Sequence, residues 1–357
     1  MPARLKTLIA FLLALSLSGG VQAQTPTAEA CPVSQFLEWG GNGVVTPGDS
    51  NNVRDEPSTA GALIGKIAPG EPFVVLYDSA TCAEGYLWVE VKTMSLRGWT
   101  VERAADGGEP FIVPYETETI DVGTRAEDGS IRVEAAGVAF TVPAGLNIAR
   151  VTMAPEVGFF GDVMSAQPSS LVFTFLDADD EPRGDIEIYP YAISDAVYAL
   201  YAYPDLEILL TEQPSLLEYA ARKRMPQGPL AGSAALFGGA GAYLPVSGGN
   251  GLRFITYFAQ TSVLFRQDTT FEYLYRGLTA DKSFFVAAQN FPVKAPAGTV
   301  PASGSRDDAG YPRYLRQLET NLATQPSSAF TPDLALLDSV FTSLTITDAE
   351  ALLRAIP

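Results

Sequence analysis

Apolar residues in the first third of the chain fall into short alternating runs. Residues 73–77, 87–91 and 98–101 alternate apolar with polar positions, and Gly, Pro, Asp and Ser clusters separate them at roughly ten-residue intervals. Two shorter runs, 52–54 and 63–67, precede them, with Pro57 fixing one turn and Pro69-Gly70 another. The pattern predicts a small barrel of short strands over residues 40–104.

Beyond residue 130 the pattern changes. Strands are predicted at 131–134, 138–142, 171–176 and 186–189, and helices at 192–201 and 206–212, stopped by Pro204 and Pro214. Residues 242–246 and 252–258 flank Gly249-Asn250-Gly251, the strongest short hairpin signal in the chain. Strands at 270–275 and 284–288 follow, joined through 276–281. Leu315, Leu318 and Leu322 recur at helical spacing. Thr331 and Pro332 suit the cap and first position of a last helix whose apolar stripe is Leu334, Leu337, Phe341 and Leu344. Strands grouped centrally with helices around them argue a layered α+β domain.

The expected architecture is therefore multi-domain, a small all-β barrel followed by a larger α+β domain with a layered antiparallel sheet. Residues 24–39 read as an N-terminal linker, 105–130 as an acidic, turn-rich interdomain linker, 131–347 as the α+β domain and 348–357 as a tail.

Arg4 and Lys6 precede an uncharged run at 8–17, followed by small residues and Val21-Gln22-Ala23. This is the layout of a secretory signal peptide, residues 1–23, cleaved after Ala23. The run is shorter than the ~20 apolar residues a membrane span needs. Cys31 lies too far behind it for a lipoprotein site, so no stable membrane anchor is expected. The implied location is extracellular or in the cell envelope.

The chain carries 23 basic and 41 acidic residues, net −18, and losing Arg4 and Lys6 with the leader takes it to −20. A surface this acidic repels phosphate backbones, so nucleic acid is not an expected partner. The absence of histidine removes Ser-His-Asp and Cys-His catalysis and the common zinc sites. No cofactor or metal is expected. The two cysteines, Cys31 and Cys82, favour one disulfide in an exported protein, closing a loop of about 50 residues and contributing on the order of 4 kcal/mol.

The order Asn52-Val53-Arg54, Pro57-Ser58, Ile64-Gly65 with Ile67 and Gly70, a hydrophobic strand, Trp88 with Val91, and Gly98-Trp99 with Val101 resembles bacterial SH3 (SH3b) domains. The resemblance covers residues 40–104. It departs in the longer loop at 78–85, which carries Cys82, and in the Thr100-Val101 continuation. It implies a wall- or peptide-binding groove lined by Tyr86, Trp88 and Trp99, with Tyr77 beside them; the competing reading makes some of these rings barrel core. Gly277-Leu278-Thr279 with Asp281, and the closing helix with its LDSVFTSLTI end, resemble PsbP-type α/β/α domains and the C-terminal regions of exported proteins that carry an SH3b domain in front. This second resemblance implies a non-enzymatic ligand-binding or accessory domain.

Other constellations are weaker. Asp177, Asp179 and Glu181 take alternate positions of a calcium-type loop, but Pro182 stands where such a loop needs glycine, and a solvated hairpin turn is the better reading. Arg183-Gly184-Asp185 is a tripeptide expected by chance. Gly238-Gly239-Ala240-Gly241 has no lysine behind it and makes no phosphate loop. Arg253, Ile255 and Tyr257 share a strand face, as do Tyr273 and Tyr275, with Arg276 beside them. A pocket for an anionic or aromatic ligand is one reading and half-buried cross-strand pairing the favoured one. The sequence therefore argues for a secreted, non-catalytic binding protein whose partner is peptidoglycan or an extracellular peptide. The alternative is an extracellular hydrolase using paired carboxylates and targeted by its SH3b domain.

Overall fold

The protein is described by a computed structural model over residues 33–36, 41–76, 79–93, 96–156, 158, 168–191, 203–223, 225–226, 234–307 and 309–357. The expected signal peptide, Cys31, Tyr77 and the helix at 192–201 lie outside the described residues. The remainder is mostly β, built from antiparallel sheets.

The first sheet contains β1 (Asn42–Val45), β2 (Asn51–Arg54), β3 (Leu63–Ile67), β4 (Pro72–Val75), β5 (Thr81–Ala83), β6 (Tyr86–Lys92), β7 (Arg97–Ala104) and β8 (Ile112–Pro114). Its order is β3-β2-β7-β6-β4-β1-β8, with β5 paired to β6. Alternation turns Val53, Ile67, Phe73, Val89, Val91 and Ile112 into one core. The expected closed barrel does not form among the described residues, because β3 and β8 end the path without pairing to each other. Buried Glu102 on β7 draws in the segment before β1. Its carboxylate accepts the Ser34 hydroxyl (2.6 Å) and the Gln35 backbone N–H (3.0 Å), and Arg103 lies 3.3 Å away.

The segment read as a linker at 105–130 contributes strands to three sheets. β8 extends the first sheet through β1, β9 (Ile120–Asp121) pairs with β13 (Arg150–Glu156), and β10 (Gly123–Arg125) pairs with β11 (Ile131–Ala135). Acidic, turn-rich composition marks solvent exposure, and β9 and β10 are short edges with exposed side chains, while β8 buries Ile112.

The main sheet runs β17-β18-β20-β21-β15-β14-β13-β9. Its further strands are β14 (Ser170–Leu176), β15 (Pro182–Pro190), β17 (Gly239–Val246), β18 (Gly249–Thr256), β20 (Thr270–Leu278) and β21 (Phe284–Lys294). A small sheet, β10-β11-β12-β22, joins β12 (Val138–Val142) to β22 (Thr345–Ile346), and β16 (Ala234–Ala235) pairs with β19 (Phe258–Ala259). One face of the main sheet packs against α3 (Gly310–Ala323), α4 (Leu334–Ser343) and the small sheet around Phe140, Phe173, Phe175, Phe291 and Phe341. The other face packs against α1 (Tyr203–Glu212) and α2 (Leu216–Ala220) through Leu206, Leu209, Leu216, Leu252, Phe254 and Phe285.

Several sequence expectations shift. The strands predicted at 186–189, 270–275 and 284–288 are longer. The hairpin between β17 and β18 exists, but Ser247 (φ 44°) and Gly248 (φ 74°) make its turn, with Val246 opposite Gly249. Asn250 and Gly251 lie inside β18. Asp333, not Thr331, caps α4, its carboxylate accepting the Ala335 N–H, and the Thr331–Pro332 bond just before is cis. The expected tail at 348–357 forms α5 (Ala349–Ala355), capped by Asp348, and its Leu352 is wholly buried in the main core.

Gly251 sits in β18 for a packing reason. It lies directly across from Gly277, and the Tyr275 side chain lies over both, so that a Cβ on Gly251 would meet the Tyr275 hydroxyl at 2.0 Å. On its far side Tyr275 stacks on Phe341 of α4, with centroids 4.3 Å apart and an interplanar angle of 14°. Tyr273 donates to Asp338 of α4 (3.0 Å), and Arg253 is ion-paired to the same carboxylate (3.2 Å). Arg253 and Tyr275 are direct cross-strand partners, as are Ile255 and Tyr273. The favoured reading is half-buried cross-strand pairing; Arg253, Tyr273 and Tyr275 do sit on paired strands, but they are buried and also pack the sheet onto α4.

Gly251→Ala is expected to lower stability by about 1–3 kcal/mol, the cost of overpacking a close-packed core. Urea denaturation of the variant against wild type measures this, and an unchanged midpoint contradicts the packing argument.

Candidate functional site

The SH3b-type residues separate into two kinds. Trp88 is buried to 1% exposure, and its indole N–H donates to the Ala83 carbonyl (3.1 Å). The expected ligand contact at Trp88 therefore becomes a structural ring, with no face left for a ligand. Tyr86 is half-buried and meets Trp88 edge-to-face at 6.4 Å. Trp99 is half-buried and belongs to no core cluster among the described residues. Arg54 and Glu90 are its direct cross-strand partners, and Leu63, 54% exposed, is the partner of Arg54. A row Leu63–Arg54–Trp99–Glu90 thus crosses four strands, Arg97 pairing with Glu90 at 2.9 Å. Sequence reasoning identified Trp99 but missed its neighbours, because strand pairing, not spacing along the chain, places Leu63 and Glu90 beside it.

Cys82 lies on exposed β5, opposite Leu87 of β6. Asp177 closes the β14–β15 hairpin turn, the reading preferred over a cation loop. Its carboxylate accepts the backbone N–H groups of Asp179 (2.9 Å) and Glu181 (3.1 Å) and pairs with Arg183. The Arg183 guanidinium, first, and those N–H groups hold its pKa below the usual carboxylate value. No cluster of metal-ligating side chains occurs among the described residues.

The most unusual chemistry lies on the α1 face of the main sheet. One cross-sheet row reads Leu252, Arg276, Ala287, Glu187, Val172, Ala154. Alanine between Arg276 and Glu187 leaves room for both long side chains over the middle strand. Both are buried, Glu187 to 4% exposure. Arg276 Nη1 donates to the carbonyls of Tyr275 (2.7 Å) and Ala288 (2.6 Å).

Directly beside this row, β21 bulges. Its register against β20 shifts between Tyr273 and Tyr275, and Asn290 takes φ 62°, a left-handed conformation that asparagine tolerates better than most residues. A bulge re-aims side chains and backbone donors, and here it serves carboxylates on both flanking strands. Gln289 donates to Glu187, whose other oxygen takes the Tyr189 hydroxyl. The Asn290 backbone N–H donates to Glu272 Oε1 (2.9 Å), and its side-chain amide donates to Asp185 Oδ2 (2.8 Å). Thr174 completes Asp185 at 2.8 Å.

Burial pushes the Glu187 carboxyl up to about 8, with the negative charges of Glu156 and Asp185 adding to the rise and Arg276 opposing it. Burial also raises Glu156 and Glu272. The arrangement can hold a proton at Glu187 near neutral pH. Glu272 reaches the surface at an open cleft. It lines this cleft of about 390 Å³ with Tyr257, Phe258, Phe271, Asn290 and Pro292. Glu187, Glu272 and Gln289 were not legible as a site, since nothing in the sequence marks a bulge.

No family model, curated protein or solved structure matches the chain.

The sign of the pH dependence follows from Glu187. Its folded pKa lies above the unfolded carboxylate value, so its contribution is fully present below about pH 4.3 and is lost as pH rises to about 8. Across that window the folded state retains a proton that the unfolded state releases. Its contribution to unfolding free energy then falls by up to about 1.4 kcal/mol per pH unit. Glu187→Gln is expected to flatten the loss of stability between about pH 5 and 8, with Glu156 and Glu272 leaving a smaller residual slope. Denaturant melts of both proteins across this range test it, and parallel curves contradict the assignment.

Proposed function

We propose that the chain is an exported, non-catalytic binding protein. An SH3b-like module at its N-terminal end recognises cell-wall or peptide material, and a larger α+β domain behind it binds a ligand of its own. The observation that carries the module reading is the half-buried Trp99. It is held between Arg54 and Glu90 with exposed Leu63 two strands away, and its ring is not spent on the core. A tryptophan flanked by charges of both signs on an open sheet is the kind of anchor that peptide and glycan-peptide surfaces use. Tyr86 lies on the adjoining strand edge.

The N-terminal sheet is open, and the segment before β1 is tied down at Glu102. That tie supports the proposed Cys31–Cys82 disulfide. Cys82 faces Leu87, and Leu87 faces Arg103, so Cys82 lies about two strand spacings, roughly 10 Å, from the strand that holds Ser34. Cys31 precedes Ser34 by three positions, a reach of about 10 Å.

For the larger domain, the binding reading rests on its cleft wall. A carboxylate hydrolase needs an acid and a base or nucleophile both facing the scissile bond. Among the described residues that line the cleft, Glu272 is the single carboxylate, and Glu187 lies buried behind it. Helices on both faces of an antiparallel sheet agree with the PsbP-type resemblance, and that likeness implies an accessory or ligand-binding role.

Full-length protein is expected to be retained on insoluble peptidoglycan. Trp99→Ala should cut retention about tenfold, the effect of losing ~1.4 kcal/mol, with little change in melting temperature. Wild-type protein that washes through at every salt concentration sinks the wall-binding part. Denatured, unreduced protein should show no reactive thiol and reduced protein two, as counted with a thiol reagent.

A further inference from the structure

We propose that the cleft beside the β21 bulge binds a small organic cation, an amine or quaternary ammonium group, with Glu272 as its counter-charge. This rests on reading the larger domain as a ligand-binding one, and names the chemistry of that ligand.

Four observations converge. The cleft holds about 390 Å³, enough for an ammonium head group with a short tail, and its wall combines the half-buried Tyr257 and Phe258 and Pro292 with Glu272 and Asn290. Aromatic rings beside a carboxylate form the environment in which organic cations trade hydration for ring faces and a full charge. Among the described residues that line the cleft there is no lysine or arginine; the buried Arg276 favours the Glu272 carboxylate from within the sheet but does not line the cleft.

The carboxylate is also held in place. The Asn290 N–H fixes Glu272 Oε1 at 2.9 Å, while Oε2 accepts no hydrogen bond among the described residues. Burial already penalises the ionised form of Glu272; an arriving cation relieves that penalty, and a neutral ligand does not. Finally, Asn290 holds a second negative charge behind the first, since its side chain binds Asp185 at 2.8 Å. The left-handed conformation of Asn290 directs one donor at each carboxylate.

The test is calorimetric titration of the full chain with choline, with butylamine and with the neutral carbon isostere of choline. The expected result is saturable binding of at least one cation with a Kd on the order of 1 mM. The neutral isostere should bind at least about tenfold more weakly, and Glu272→Gln should weaken the cation by about tenfold as well. Glu319→Gln, at a buried carboxylate lining a different cavity, should leave binding unchanged. If Glu272→Gln does not fold, the comparison of choline with its isostere on wild-type protein decides alone. Three results overturn the inference: no saturation by either cation, equal binding of the isostere, or a folded Glu272→Gln that binds the cation as wild type does. The Trp99→Ala protein separates the two proposals. It should lose wall retention and bind the cation normally; wild-type protein that binds the cation but is not retained overturns only the wall-binding reading, and retained wild-type protein that binds neither cation overturns only the cleft.

Discussion

The larger domain hangs on one ring. Tyr275 lies between a pair of facing glycines and Phe341, so the sheet and α4 meet across a single aromatic thickness. Glycine is required at 251 and 277 because any side chain there would occupy the ring's place. Once Tyr275 is seated, Tyr273 and Arg253 fall within reach of Asp338, and one carboxylate on α4 takes both. Burial raises the pKa of Asp338, while Arg253 and the Tyr273 hydroxyl oppose the rise. The helix is positioned by aromatic packing and locked by a polar contact too buried to exchange cheaply with water.

The two faces of the main sheet use polar residues differently. On the α4 face charges serve the fold. On the α1 face, Arg276 and the carboxylates of β15 and β20 gather around a bulge that breaks the ladder. Buried charges of this kind are retained only where hydrogen bonds satisfy them. Gln289, Asn290, Thr174 and Tyr189 supply those bonds. The same residues that make the cluster tolerable also leave one oxygen of Glu272 turned to the cleft.

Alternation along the chain was enough to locate most strands, since period-two burial is a local signal. The final helix pair was legible for the same reason, from leucines at helical spacing. The failures have non-local causes. Asn250-Gly251 imitates a hairpin turn, but the glycine answers to a tyrosine on the next strand. The acidic stretch after residue 104 reads as a linker because its strands are edges with few buried side chains. Trp88 and Trp99 look alike in sequence and share a sheet face, but Trp88 is buried where β5 pairs with β6 and the Ala83 carbonyl takes its indole N–H, while Trp99 stays half-buried. The cleft was invisible because it is assembled from four strands, β15, β19, β20 and β21, far apart along the chain.

The small sheet has a consequence for how the chain reaches this state. Its last ladder joins β12 to β22, and Ser343 bonds to Thr141 across a separation of 202 residues. α5 then buries Leu352 in the same core. A ribosome delivers β12 long before its partner exists, so the hydrophobic face of β11 and β12 waits uncovered while the intervening segments emerge. Loops of this length close slowly, and a chain that folds last at both ends of its domain stays threadable for most of its synthesis. Passage through a narrow translocation channel requires that state of a polypeptide proposed to leave the cytoplasm.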